Sequence, residues 1–468
     1  MRRSIYRALR IASALDHWLR ERLTPAGWLA LGAAGAAAAA GLDTNQTVTY
    51  RAFTFLAALL AISYLASLFF RAFFHTRLEA SRDLPRYATA GEHCVYRVVV
   101  ANRGARTLTA ATVEERFRDP RPSYEAWQGT REPGEERRNW WDRMVGYFRW
   151  RWQIERHLPR DVERGELAPL GPGERQELKL SFTPRRRGRI ELAGLTVGRP
   201  DALGLVRGLA RLPLPARLTA LPRRYRLPEI TLPGKRKFQP GGMSLAASVG
   251  DSEEFLALRD YRPGDPLQRV HWKSFARTGK PVVKEYQDEF FERHALVLDT
   301  GSLAGEDAAF EDAVALAASF VYTIDTHDCL LDLLFVGPGA GAGRSADEAD
   351  RPAIGAYTAG RGQLQSQHML EVLAAVAPSA PAAFTELSRA VIARRDSLSS
   401  VILILLGWDE ERRKLASALQ ASGAEVRGLL VCDRKARQQL QDALSERLPG
   451  WLVELHPGEI EAGLARLR

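Results

Sequence analysis

The chain is poor in cysteine. Its 468 residues include three, Cys94, Cys329 and Cys432, widely separated and without a CxxC pair. That spacing argues against a disulfide framework or a paired-thiolate zinc module and suits a reducing compartment, each thiol being read as a small buried apolar group. Signatures of nucleotide chemistry are missing as well. There is no GxxxxGK[ST] and no GxGxxG after a strand, so no glycine-rich loop is present to cradle a phosphate. Neither G-x-S-x-G nor HExxH occurs, and no cysteine stands in a protease context, which leaves no hydrolase nucleophile to name. Acidic excess is also lacking: 66 Lys and Arg against 56 Asp and Glu give a formal net charge of +10. No reader motif accompanies those basic residues, so nucleic acid is not expected as a partner.

What the chain does have is arginine beside apolar stretches. Arg2, Arg3, Arg7, Arg10, Arg20 and Arg22 precede the first of these, against only Asp16 and Glu21. That stretch, 26–42, is uncharged and Ala/Gly-rich; as a helix it is about 26 Å long, short but able to span. The second, 52–70, is uncharged, with aromatics toward both ends. Only residues 43–51 separate the two, so residues 1–76 read as an amino terminus followed by a two-helix transmembrane hairpin. Arg71, Arg77 and Arg82 flank its far side, while the connecting loop holds Arg51 against Asp43. The positive-inside rule then puts both ends of the hairpin, and the soluble domains, on the cytoplasmic face of the inner membrane. The competing reading is a cleaved signal peptide, with small-residue sites in 36–40 and a new amino terminus near Gly41.

Residues 77–225 change to short alternating runs punctuated by Gly and Pro. In Glu177–Phe182, Leu178, Leu180 and Phe182 share one face while Glu177, Lys179 and Ser181 share the other, the period of a half-buried strand. Several such runs predict a β-sandwich. A Trp/Arg-rich insertion, 120–160, interrupts it, and residues 139–152 hold four of the chain's ten tryptophans. On one helix Trp140, Met144, Phe148 and Trp152 form a stripe, with Arg143, Arg149 and Arg151 away from it. That pattern suits packing on the sandwich or on another subunit, and also the headgroup region of a lipid bilayer. Residues 226–293 hold a Pro/Gly-rich linker and a charged segment; the basic run Lys235-Arg236-Lys237 reads as a solvated loop.

From 294 to 468, short apolar runs (295–299, 330–336, 401–406, 425–431, 451–455) alternate with helical runs (307–324, 384–394, 410–421, 435–448). The alternation predicts an α/β, Rossmann-like domain with a parallel sheet covered on both faces. Residues 337–362, rich in Gly, Ala and Asp, are expected to form a mobile loop. A first strand ending in Asp299 resembles the von Willebrand factor A fold, in which a D-x-S-x-S motif can hold a metal at the carboxyl edge of the sheet. The aligned residues here are Asp299, Gly301 and Leu303; Ser302 is one position out of register, and Asp409 could add a second carboxylate. Two carboxylates without the hydroxyl pair suit a hard cation such as Mg²⁺ poorly. No cofactor is therefore expected, and Asp299 is read as ordering the loop that follows it.

Ahead of that domain, 254–289 is the densest stretch of charged and aromatic residues. Arg259, Arg262, Arg269, Arg277 and Lys284 interleave with Glu254, Asp260, Asp265 and Glu285. Such interleaving suits a covered ion-pair network, Trp272 and Phe275 being its apolar part. Glu254, Phe255, Leu258, Arg259, Tyr261, Gly264, Asp265, Arg269, Trp272, Ala276, Arg277 and Lys284 resemble the signature of the bacterial membrane-anchored family called domain of unknown function 58. The resemblance implies hairpin, sandwich, signature and von Willebrand A-like domain in this order. It also implies a non-enzymatic, membrane-tethered adaptor working with a MoxR-type AAA+ ATPase and client proteins in assembly or maturation, with self-association left open. The signature residues would then position domains or meet a partner. Two other readings stay open: an enzyme or binding protein that takes a phosphate-bearing ligand through 254–289, and an outward-facing envelope adhesion protein with the opposite topology.

Overall fold

The computed structural model describes residues 2–40, 47–74, 77–228, 254–262, 267, 270–287, 292–301, 307–324, 329–338, 352–359, 363–433 and 448–465. The chain divides into two compact units, one built on Met1–Arg223 and the other on the remainder, apart from two short segments.

Three helices open the first unit: α1 (Arg2–Arg22), α2 (Pro25–Ala40) and α3 (Thr47–Phe74). Within α3, Val48–Leu68 is long and apolar enough to cross a membrane. α2 has 16 residues, about 24 Å of helix, which falls short of the roughly 30 Å hydrocarbon layer. It packs along α3.

The sandwich follows as β1 (Leu78–Asp83), β2 (Tyr87–Thr89), β3 (Cys94–Asn102) and β4 (Ala111–Phe117), then, after the insertion, β5 (Arg164–Leu167), β6 (Arg175–Phe182), β7 (Gly188–Pro200) and β8 (Arg207–Leu221). One sheet runs β1-β3-β6 and the other β2-β8-β7-β4-β5. All pairings are antiparallel except β2 with β8. Alternate residues of each strand turn inward, as period 2 demands. Val98, Val100, Leu180 and Phe182 from one sheet join Val113, Leu195, Val197 and Leu218 from the other in a single core. Each such buried side chain stabilises the sandwich by about 1.5–3 kcal/mol.

A buried ion pair also lies inside this core. Arg82 donates to Glu115 and to the Leu214 carbonyl, and the Tyr96 hydroxyl donates to Glu115 at 2.8 Å. Burial pushes the Glu115 carboxyl up, while Arg82 and the Tyr96 hydroxyl pull it back. The arrangement survives because each buried charge has its partner.

The insertion between β4 and β5 forms α4 (Tyr124–Gly129), α5 (Trp140–Val145) and α6 (Tyr147–His157). The single striped helix expected over Trp140, Met144, Phe148 and Trp152 is not present. Gly146 takes a left-handed conformation (φ 65°) and ends α5, so the stripe is broken in the middle. A Cβ at Gly146 would lie 2.9 Å from the Trp127 ring, and the Gly146 carbonyl accepts from Trp127 Nε1 at 3.2 Å. The buried side chains of α6 are Trp150 and Gln153 instead. Trp140 is 66% exposed, Phe148 carries the Arg138 guanidinium 3.8 Å from its ring centre, and Trp152 meets Arg156 at 4.8 Å. The insertion also holds α1: the Tyr6 ring lies 5.4–5.9 Å from those of Tyr124, Trp127 and Trp150, and its hydroxyl donates to the Pro122 carbonyl at 3.1 Å.

The second unit opens with β9 (Glu254–Asp260), α7 (Trp272–Thr278) and β10 (Val282–Gln287). It continues as β11 (Glu292–Leu298), α8 (Asp307–Thr323), β12 (Cys329–Pro338), β13 (Pro352–Ala359), α9 (Gln363–Ala375), α10 (Ala383–Ile392), β14 (Ser400–Leu405), α11 (Glu410–Ala421), β15 (Glu425–Val431), β16 (Leu452–Leu455) and α12 (Ile460–Leu464). β9 and β10 form their own antiparallel pair, and a six-stranded sheet has the order β13-β12-β11-β14-β15-β16. Every pairing in that sheet is parallel except β12 with β13. β14 is buried along its whole length, as a strand covered on both faces must be. The 337–362 segment is thus not simply a loop, since β13 makes the antiparallel edge. The helical run expected at 435–448 lies almost wholly outside the described residues, as does the Lys235–Lys237 run.

Candidate functional site

At the base of the apolar helices, a turn of the sandwich grips the start of α2. The Asp201 carboxylate accepts from the backbone N–H groups of Leu203, Leu205 and Val206 at 2.8–3.2 Å. This folds 201–206 into a tight loop, which is what a short carboxylate in a turn does best. The loop presents the Leu205 carbonyl to the Thr24 N–H at 3.1 Å. The Thr24 hydroxyl donates to the Gly204 carbonyl at 2.5 Å and accepts from the Gly27 N–H at 3.0 Å. A Cβ on Gly27 would meet the Leu205 oxygen at 2.1 Å, so only glycine permits this approach. Leu23 bridges antiparallel to Val206 beside it.

At the carboxyl edge of the six-stranded sheet, where open α/β folds place ligands, Asp299 follows β11 and is fully buried, at 0% exposure. Its Oδ1 accepts from the Gly301 N–H at 2.9 Å and its Oδ2 from the Leu406 N–H at 3.1 Å. Arg412, in the first turn of α11, donates Nε at 2.8 Å and Nη2 at 2.6 Å to the same Oδ2. Its Nη1 reaches Asp409, whose Oδ1 caps α11 by accepting from the Arg412 N–H at 3.0 Å. The guanidinium also lies 4.3 Å from the centre of the Phe384 ring.

The two carboxylates marked in the sequence as candidate cation ligands are therefore bridged by a side-chain cation. Burial pushes the Asp299 carboxyl up, and Arg412 together with the two backbone N–H groups pulls against it. The result is a neutralised latch that orders the turn after β11 and the start of α11. Nothing in the sequence near Arg412 announces this role, because it sits in a run of charged residues that reads as a solvated helix face. Ser302 lies outside the described residues.

The signature segment folds as a small unit around β9 and β10, with Arg259 opposite Val283 and Leu258 opposite Lys284. Val270 bridges to Val283, and both are buried. The Tyr261 N–H donates to the Pro281 carbonyl at 3.0 Å. Glu254 and Phe255 occupy strand positions at the far end of the pair. α7 stands between the strands, closed by left-handed Gly279, and His271 Nδ1 lies 2.7 Å from Ser274 Oγ at its start. Trp272 packs edge-on against Phe275, ring centres 6.0 Å apart, yet Trp272 is 60% exposed and Phe275 38%. Arg262 and Arg277 are exposed too. The apolar part of the expected covered contact is open to solvent. Gly264, Asp265 and Arg269 lie outside the described residues. Among the described residues, Cys432, Glu454 and His456 form a group close enough to share a metal ion.

No known family model matches the chain. The chain is similar to "Uncharacterized protein YeaD" of Bacillus subtilis, at 24% identity over 311 residues covering 63% of this chain and 71% of that protein. Among solved structures, the CARDB domain of a Pyrococcus furiosus protein matches 31% of this chain and 94% of its own length, at 17% identity and a TM-score of 0.16. The ASH/PapD-like domain of human CEP192 matches 31% and 87%, at 11% identity and a TM-score of 0.17. Scores this low carry no argument about fold or function.

Proposed function

We propose that the chain is a membrane-tethered, non-enzymatic adaptor that presents the signature face to a protein partner, a MoxR-type AAA+ ATPase, in assembly or maturation of client proteins. The observation that carries this reading is the exposed Trp272–Phe275 pair on α7, flanked by Arg277. Tryptophan and arginine in the open are the side chains that most often anchor protein interfaces. α2 and α3 are read as a transmembrane hairpin with both ends in the cytoplasm, and the six-stranded sheet as a von Willebrand A-like domain. In that domain Arg412 stands where a cation would otherwise balance Asp299 and Asp409. The clasp between the 201–206 turn and Thr24 supports the tether, because it fixes the sandwich to the foot of the apolar helices.

The test is a pull-down from native membranes with the wild-type chain and with Trp272→Ala/Arg277→Ala. Recovery of an AAA+ ATPase by the wild type alone supports the reading; repeated recovery of none sinks it. Reporter fusions at the carboxyl terminus that are active only outside the cytoplasm would overturn the orientation.

A further inference from the structure

We propose that Cys432, Glu454 and His456 form a binding site for a divalent transition metal of the zinc class, at the ends of β15 and the edge strand β16 of the six-stranded sheet. Register brings them together. β15 and β16 run parallel with Val431 opposite Leu455, and the Cys432 N–H continues the ladder to the Leu455 carbonyl at 3.2 Å. Side chains alternate along a strand, so Glu454 and His456 point to the face opposite Leu455. On that face lie Leu430, Cys432 and Leu452, all members of one apolar cluster. Three donors of different chemistry therefore stand at the rim of an apolar layer, at the carboxyl ends of parallel strands.

The distances fit. Cys432 Sγ lies 3.9 Å from Glu454 Oε1, His456 Nε2 lies 3.5 Å from the same oxygen, and all three ligand atoms fall within 4.8 Å of one another. Zinc bonds of about 2.3 Å to sulfur and 2.0–2.1 Å to nitrogen or oxygen set tetrahedral ligand separations of about 3.3–3.6 Å. Modest side-chain rotations of Cys432 and His456 close the set. His456 Nδ1 lies 3.1 Å from the Cys432 carbonyl. A carbonyl can only accept, so it holds the ring proton on Nδ1 and leaves the Nε2 lone pair facing the carboxylate, the outer-shell arrangement that metal-binding histidines use. Thiolate with imidazole and one carboxylate selects zinc, cobalt or copper over magnesium. Three protein ligands leave a fourth position for water or a donor from a partner.

The experiment uses the full chain in detergent, stripped with chelator and reloaded with Zn²⁺ or Co²⁺. The expected result is about one metal per chain and, with Co²⁺, a thiolate-to-metal charge-transfer band. Cys432→Ser removes that band, while Cys94→Ser and Cys329→Ser keep it; His456→Gln weakens affinity at least tenfold. Should Cys432→Ser fail to fold, the near-isosteric Glu454→Gln must still shift the cobalt spectrum. Retention of no metal at micromolar free zinc, or a cobalt spectrum unchanged in these variants, overturns the site.

Discussion

Removing Arg412 tests whether the latch at Asp299 holds the second unit together. In Arg412→Ala the Asp299 carboxylate keeps its two backbone donors, from Gly301 and Leu406, but loses the buried cation whose side chain is only 6% exposed. Breaking a buried pair by deleting one partner costs about 3–5 kcal/mol, because the remaining charge is left uncompensated. With a urea dependence of about 2–3 kcal/mol/M, that loss lowers the unfolding midpoint by roughly 1–2.5 M. Pulse proteolysis of the full chain in detergent reads this midpoint directly. Asp299→Asn should cost less, since the arginine it frees still reaches Asp409. The double variant should cost less than the two single losses together, as expected for side chains in contact. The pH dependence supplies an independent check. Without Arg412, burial is opposed only by the Leu406 and Gly301 N–H groups, so the folded pKa of Asp299 rises further above the unfolded value. A raised carboxyl favours the folded state at low pH and penalises it as pH rises, so the gap between Arg412→Ala and wild type narrows as pH falls toward the unfolded carboxyl value and widens as pH rises. A midpoint unmoved by Arg412→Ala, or a gap independent of pH, refutes the account.

Three further outcomes follow from single sites. Gly27→Val drives a side chain into the Leu205 carbonyl, an overpacking cost of about 1–3 kcal/mol; it should open the 201–206 turn to protease while the sandwich core stays protected. Gly146→Ala forces a Cβ into the left-handed region, at a cost of about 1–2 kcal/mol, and against Trp127. The urea midpoint followed by tryptophan emission should fall accordingly, and an unchanged midpoint would contradict the described break between α5 and α6. His294, buried beside Ser400 Oγ at 2.7 Å, has its pKa lowered below 6.5 by burial, with Glu292 opposing. The unfolded chain takes up that proton near pH 6.5 while the folded one resists. The stability His294 contributes is therefore complete above about pH 6.5 and lost as pH falls through the folded value; His294→Gln should flatten that slope.

The strands of both units were legible wherever their cause was local. β6 alternates because Leu178, Leu180 and Phe182 alternate, and β14 is a continuous apolar run because both its faces are covered. Elements with no such pattern escaped. β13 reads PAIGAYTA, small and glycine-bearing, and becomes a strand only by pairing with β12 at the edge. The tryptophan stripe kept helical spacing across Gly146, and spacing alone ignores a residue that turns the backbone left-handed. The one available warning was glycine itself. Arg412 pairs with a carboxylate 113 residues earlier, and the Cys432 group unites two strands separated by a segment of unrelated sequence. Both are products of sheet register, which period and composition do not encode. The 201–206 turn is the opposite case: Asp201 and Gly204 are ordinary turn residues, and only Thr24 against them shows what the turn holds.

That last contact governs reach. A protein hung from the lipid by a supple leash sweeps a wide hemisphere and meets its targets far from the surface. Here the grip of one loop on the foot of a helix removes the slack between the sandwich and α2. If α3 crosses a bilayer, as proposed, whatever the sandwich engages has to come down to that surface to be met.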